Sequence, residues 1–260
     1  MVEVSVLIPC NIGEIRVLNS VKSIYDSRVK MEILVGLNGQ DSSLKKLLKN
    51  LSIKDLEVFE LSTECNTSSI LNFLVHRSKG KYLARMDADD ISLPNRIVHQ
   101  ISVMNRNENI AVLCGNSFLS SGEIMKSSLS NFISCKDVLK SNPIIHPTVM
   151  FRREVFDSLE KELKYNSWWN RSQDYELWSR LVRVYVFYYD REPVLIYNAN
   201  FNFKNFTSQH FYFSIAKIKN LFWHIRFSRN CGCKKTEVLR EILTLYRLLT
   251  VYIKVLFKNV

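Results

Sequence analysis

Apolar and polar positions alternate in a regular way along the first ninety residues. Short apolar runs are separated by stretches in which apolar residues recur every three or four positions. The runs "VSVLIP" (4–9), "EILVGL" (32–37), "LEVFEL" (56–61) and "KYLARMDA" (81–88) have the length and apolar content of strands. Between them, Glu14 to Ser27 places Ile15, Leu18, Val21, Ile24 and Tyr25 near helical spacing, and Thr67 to Ser78 does the same with Ile70, Leu71, Leu74 and Val75. A turn cluster, "NGQDSS", follows the second run, and Ser42 to Leu51 reads as a helix with an acidic start. Such alternation needs crossover connections, which predicts an α/β fold with a mostly parallel sheet and helices on its faces.

The second half is less regular. A helix is expected from Pro94 to about Met104, then a strand at "NIAVLCGN" (109–116). Residues 117–145 are rich in Ser and Lys and poorly periodic. "IIHPTVMFRR" (144–153) reads as a strand in which Pro147 restrains His146. "SQDYELWSRLV" (172–182) begins like a helix, and "VYVFYYD" (184–190) and "PVLIYN" (193–198) read as two more strands. Two helices, about 211–228 and 236–257, are expected around "RNCGCKK". The expected organisation is therefore an α/β unit over 1–205 and a helical region over 206–260.

Charge changes the picture mainly at the far end. Residues 211–260 hold ten Lys or Arg against Glu237 and Glu241, so most of the net charge of +11 lies there. These cations interleave with Phe211, Tyr212, Phe213, Phe222, Trp223 and Phe227. Basic amphipathic helices with Trp and Phe lie in membrane interfaces. Packing on the first unit, a dimer contact and a solvated face are the other readings. A nucleic-acid partner is not expected, because no recognised binding motif accompanies the charge. The most apolar tract, Leu243 to Phe257, is interrupted by Arg247 and Lys254, which argues against a spanning helix. The opening "MVEVSVLIPC" lacks a basic segment with a following cleavage site, and the six cysteines are scattered without zinc spacing. A cytoplasmic protein with reduced thiols is expected.

The fourth strand ends in Asp87, Asp89 and Asp90. Acids crowded at a strand end lose solvation and raise one another's pKa, unless a cation sits among them. An EF-hand loop from Asp87 would need Gly and Glu where Ser92 and Val98 stand, so that reading is rejected. A helix cap accounts for one acid and not for three. A divalent cation shared with a diphosphate accounts for the cluster. In parallel sheets, ligands bind outside the carboxyl ends of strands, which is where these acids sit.

The segments "VSVLIP", "GKYLARMDADDISLPNRIVHQ", "IIHPTVMFRR" and "SQDYELWSRL", in this order over about residues 4–182, resemble glycosyltransferase family 2, the inverting GT-A family, in its bacterial surface-polysaccharide branch. The resemblance implies a GT-A fold, a nucleotide-sugar donor (usually a UDP-sugar) and Mn²⁺ or Mg²⁺. It makes Asp87 the acid that binds the ribose, Asp89 the metal ligand and Asp174 the general base, with Asp90 capping or supporting. Pro9, Glu14, Asn38, Asn72 and His146 fall at nucleotide-sugar-binding positions. The implied acceptor is a saccharide, such as a polyprenyl-diphosphate-linked oligosaccharide of O-antigen synthesis, which puts the reaction at the inner face of the plasma membrane.

Bland readings stand beside several of these assignments. Asp174 also reads as a helix cap, His146 as a satisfied structural histidine, and Arg152 with Arg153 as a solvated pair instead of a phosphate contact. Trp168 and Trp169 read either as core or loop residues or as a sugar-stacking surface. The chain also departs from the family pattern. "PCNIGE" stands for P-x-Y-N-E, "GLNGQ" puts Leu37 and Asn38 where two acids are usual, and Gln173 replaces the Glu before Asp174. A non-catalytic descendant that binds a sugar nucleotide or glycan, or scaffolds a synthase, is the alternative these departures raise.

Overall fold

The computed structural model describes residues 1–125, 127, 129–159, 164–198, 213–221 and 241–242. Strands β1 (Val4–Cys10), β2 (Met31–Leu37), β3 (Leu56–Glu60) and β4 (Tyr82–Arg85) lie parallel in the order β3-β2-β1-β4. Helices α1 (Val17–Ile24), α2 (Ser42–Lys49) and α3 (Thr67–Arg77) make the crossovers. Successive side chains of a strand point to opposite faces. Val4, Val6 and Ile8 of β1 therefore pack with α1 and α2, while Leu7 packs with α3. Burial on both faces is why β1 and β2 read as unbroken apolar runs.

The remaining elements are β5 (Ile91–Ser92), α4 (Arg96–Arg106), β6 (Ile110–Leu119), β7 (Phe132–Ile133), α5 (Cys135–Lys140), β8 (Met150–Arg152), α6 (Glu154–Asp157), α7 (Gln173–Leu181) and β9 (Val186–Tyr197). They extend the sheet past β4 in the order β8-β6-β9-β5, with β7 on β9. Here β8 runs antiparallel to β4 and β6, and β5 antiparallel to β9. The sheet is thus parallel over its first four strands and mixed beyond them.

Three expectations change. The strand expected over 144–153 starts only at Met150, because Pro147 has no N–H for a ladder and His146–Thr148 form a 3₁₀ turn. The two strands expected over 184–198 are one long strand, β9. The first helix begins at Val17, not Glu14, since Gly13 at φ 74° and the turns that follow it occupy the intervening residues. The poorly periodic 117–145 stretch contains α5, started by a reciprocal Ser134–Asp137 capping box.

Arg152 and Arg153 do not face a ligand. Arg152 is buried and donates to the carbonyls of Ile110, Met104 and Asn107, while Arg153 donates to Gly80 O and Ser78 Oγ. Their donors satisfy backbone acceptors left open at the end of α4 and at the starts of β4 and β6. Arg152→Met strands those carbonyls, and we expect a stability loss of about 3 kcal/mol, read as a lower urea midpoint at unchanged slope.

Residues 213–221 are helical and lie on α5 and α7. Phe213 meets Tyr175 at 4.7 Å between ring centroids, Leu221 packs on Leu139, and Lys219 Nζ bonds Glu176 at 2.9 Å. Lys217 Nζ reaches Lys140 O at 2.9 Å and Glu241 at 2.7 Å. Two cations of the basic tail are therefore engaged within the protein. Apart from 241–242, the rest of the two expected helices, with "CGC" and Phe211, Tyr212, Phe222, Trp223 and Phe227, lies outside the described residues. Among the described residues, no helix is long and apolar enough to cross a membrane.

Candidate active site

A cleft of about 1120 Å³ opens along the carboxyl ends of β1, β2 and β4. Its walls include Pro9, Glu14, Asn38, Asp87, Asp89, His146 and Asp174, seven of the eight residues singled out from sequence. The eighth, Asn72, is not among the lining residues. Its amide donates to Tyr165 O at 2.6 Å and accepts from Tyr165 N at 3.0 Å. Tyr165 Oη in turn meets His146 Nε2 at 2.9 Å, so Asn72 is linked through Tyr165 to a cleft residue.

β4 delivers the acids. Arg85 ends β4 and Asp87 stands two positions beyond it, and Arg85 Nη2 bonds Asp87 Oδ1 at 2.5 Å. Arg85 is buried, and its Nε and Nη1 have no partner among the described residues. The turn at Ala88–Asp89 is pinned by Ser20 Oγ of α1, which donates toward Ala88 O at 2.9 Å and Asp90 O at 2.6 Å. Asn198, just past β9, donates from its backbone N to Asp90 Oδ1 at 2.8 Å and from Nδ2 to Asp89 Oδ2 at 3.2 Å. Burial, then the neighbouring Asp87, raises the pKa of Asp89 and lifts Asp90 to about 7. Asp90 Oδ2 is buried, with no partner among the described residues.

Residues near the β1–α1 loop are tied to one another. Glu14 takes a two-pronged bond from Arg16, at 2.7 and 2.6 Å, which holds its pKa down. Arg16 Nη1 also lies 3.6 Å from Asp89 Oδ2. Asn38 Oδ1 accepts Ile12 N at 3.0 Å, and Asn38 Nδ2 donates to Asn11 Oδ1 at 3.0 Å. The departures at 11 and 38 therefore meet each other across the loop. Burial pushes the Cys10 thiol of the cleft up to about 12, which leaves it uncharged.

Asp174 is the second residue of α7, and the cap residue is Ser172 in the left-handed region at φ 56°. The cap reading of Asp174 is thus replaced by a first-turn position, where the helix N-terminus favours negative charge. Asp174 Oδ2 accepts Asn142 Nδ2 at 2.8 Å. Burial raises its pKa, opposed by the Asn142 bond, backbone amides and the Arg85 charge. His146 is buried, and burial with the Arg85 charge depresses its pKa well below the usual value. Both effects favour the neutral form of its ring. Trp169 is buried in the core, whereas Trp168 is exposed.

Sequence reasoning did not single out Arg85, Asn142, Tyr165 or Tyr197. Arg85 had a signal, a charge set between the apolar Tyr82, Leu83 and Ala84 on one side and Met86 on the other. The other three had none.

No group of three or more His, Cys, Asp or Glu suited to a metal occurs among the described residues. A cation beside Asp89 would then need oxygens from a ligand, the habit of Mg²⁺ and Mn²⁺ with phosphates. The oxygen-only acids, one of them with an unpartnered buried oxygen, fit such a hard ion.

Known proteins resemble the chain at both levels. The O-antigen biosynthesis glycosyltransferase WbnJ of Escherichia coli is 33% identical over 156 residues, covering 58% of this chain and 60% of WbnJ. The chain spans about 60% of the length of several curated relatives it matches, and about a quarter to a third of others. Among solved structures, S. aureus TarS superposes with a TM-score of 0.65 at 12% identity, over 94% of this chain and 71% of the TarS chain. A TarS complex with UDP-GlcNAc gives 0.58 at 14% identity over 94% and 80%. The mannosyltransferase PcManGT of Pyrobaculum calidifontis, solved with GDP-Man and Mn²⁺, gives 0.61 at 11% identity over 94% and 69%. At these identities the structures establish the fold, which is GT-A. Residues 5–160, more than half of the chain, match the family described as Glycosyl transferase family 2. The chain belongs to that family.

Proposed function

We propose that the chain is an inverting glycosyltransferase that moves a sugar from a nucleoside-diphosphate sugar, a UDP-sugar, to a saccharide acceptor. The observation that carries this reading is one cleft holding Asp87 and Asp89 at a strand end together with Asp174 at a helix start. Asp89 would hold Mn²⁺ or Mg²⁺ shared with the diphosphate, and the bound cation would offset the charge that builds on the leaving group. Asp87, which Arg85 holds by an ion pair, would accept a ribose hydroxyl. Asp174 takes the proton of the acceptor hydroxyl as it attacks, because a sugar hydroxyl is a weak nucleophile until deprotonated. Attack opposite the leaving diphosphate inverts the anomeric carbon.

For the acceptor we infer a lipid-linked oligosaccharide of surface-polysaccharide synthesis at a membrane face. The O-antigen relative and the cationic residues of 211–260 support it.

A thermal-shift panel of UDP-glucose, UDP-galactose, UDP-GlcNAc and GDP-mannose, each with Mn²⁺ or EDTA, tests the donor. A ligand at a hundred times its Kd adds about 2.7 kcal/mol, a rise of about 5–10 °C in Tm. We expect one UDP-sugar with Mn²⁺ to reach this. Silence across the panel, with stabilisation by a glycan alone, would replace the transferase with a glycan-binding descendant.

A further inference from the structure

We propose that Asn142 is a positioning residue for Asp174, holding one oxygen of the base by a donated hydrogen bond so that the other takes the acceptor proton. This rests on the reading of Asp174 as the general base. The two residues come from different parts of the fold. Asn142 follows the cap of α5 at Ser141 and precedes Pro143, while Asp174 stands in the first turn of α7. Both line the cleft, and the contact is 2.8 Å from Asn142 Nδ2 to Asp174 Oδ2.

The polarity of this contact matters. An ionised carboxylate is acceptor-only and its oxygens carry the charge, so an amide N–H directed at it favours the charged form over the protonated one. The other groups around Asp174 are Arg85 from β4, Tyr165 ahead of α7, Tyr197 at the end of β9 and the first amides of α7. Arg85 and the amides favour the charge, and the two tyrosines are neutral because burial raises their own pKa values. Against the burial that disfavours ionisation, Asn142 supplies the leading counterweight. It is also the contact whose geometry selects an oxygen. Asn142 is exposed and makes no other side-chain bond among those described, so its role in holding the fold together is small.

The test follows NDP release with Mn²⁺ across pH, using whichever panel sugar nucleotide stabilises the wild-type chain most. Asn142→Asp places a second carboxylate against Asp174. Two carboxylates at this spacing do not both ionise, so the acid limb of kcat moves up by about one pH unit or more. Asn142→Ala moves the limb in the same direction and lowers kcat about tenfold near neutrality. Asn142→Gln, which keeps the amide donor, returns the limb toward its wild-type position. Donor KM stays within about twofold in all three, since the amide acts through the base and not on the donor. Asp174→Asn runs alongside. If it kills turnover while Asn142→Asp and Asn142→Ala keep the wild-type limb and kcat, the positioning role is overturned and the base assignment stands. The positioning role falls equally if the two variants raise donor KM without moving the limb. If Asp174→Asn retains turnover, both assignments fall.

Discussion

Asp174→Asn lowers sugar transfer by about 10³-fold or more while leaving donor affinity within about twofold. The substitution preserves shape and removes the lone-pair charge that receives the acceptor proton. Its first-turn position in α7 and its contact with Asn142 survive, since an amide can turn to present its oxygen to the Asn142 N–H. The loss therefore falls on kcat, measured as NDP release, and calorimetry with the donor reads as in the wild type. The pH profile of the unmodified chain carries the same signature. Burial raises the Asp174 pKa, and only the ionised form is a base. Activity thus declines as pH falls through that raised pKa, and the decline begins above the range usual for an exposed carboxylate. A variant with ordinary turnover would remove Asp174 from the mechanism.

Asp89→Asn removes the Mn²⁺-dependent part of nucleotide binding. In the wild-type chain, UDP is expected to raise Tm more with Mn²⁺ than with EDTA. In the variant the two melting points coincide, because a neutral amide is a poor ligand for a hard dication. Turnover falls by about 10²–10³-fold, the rate equivalent of several kcal/mol of lost charge stabilisation on the leaving diphosphate. Asn198 and Arg16, the present neighbours of Asp89 Oδ2, can still reach an amide oxygen, so the turn at 88–89 keeps its shape. If manganese still enhanced UDP binding to the variant, the metal would have to be held elsewhere.

Much of the fold and the site is legible in the sequence, for identifiable reasons. The four parallel strands stand out because the central ones are buried on both faces, so burial writes itself into continuous apolar runs. The acids at 87–90 stand out because charge at the end of such a run is costly without a purpose. What stays hidden is decided by partners distant in sequence. Arg152 and Arg153 look like a surface pair, and only folding brings Ile110, Met104, Asn107 and Gly80 carbonyls to their guanidinium groups. The bond from Asn142 to Asp174 spans thirty-two positions, and nothing in the Ser- and Lys-rich stretch around it has a period to betray it. Asn72 sits at a family position, yet its amide is engaged by the backbone of Tyr165, ninety-three residues away. Pro147 is visible in the sequence, and its effect is larger than a restraint on His146. It ends the ladder outright and puts His146 into a tight turn at the cleft.

The amide contact between Asn11 and Asn38 has a consequence for anyone redesigning this chain. Restoring the family's aromatic at 11 alone deprives Asn38 of its acceptor, and restoring the acid at 38 alone deprives Asn11 of its donor. We expect the two positions to be epistatic, each single change forfeiting the bond that both share, so a library should vary them jointly.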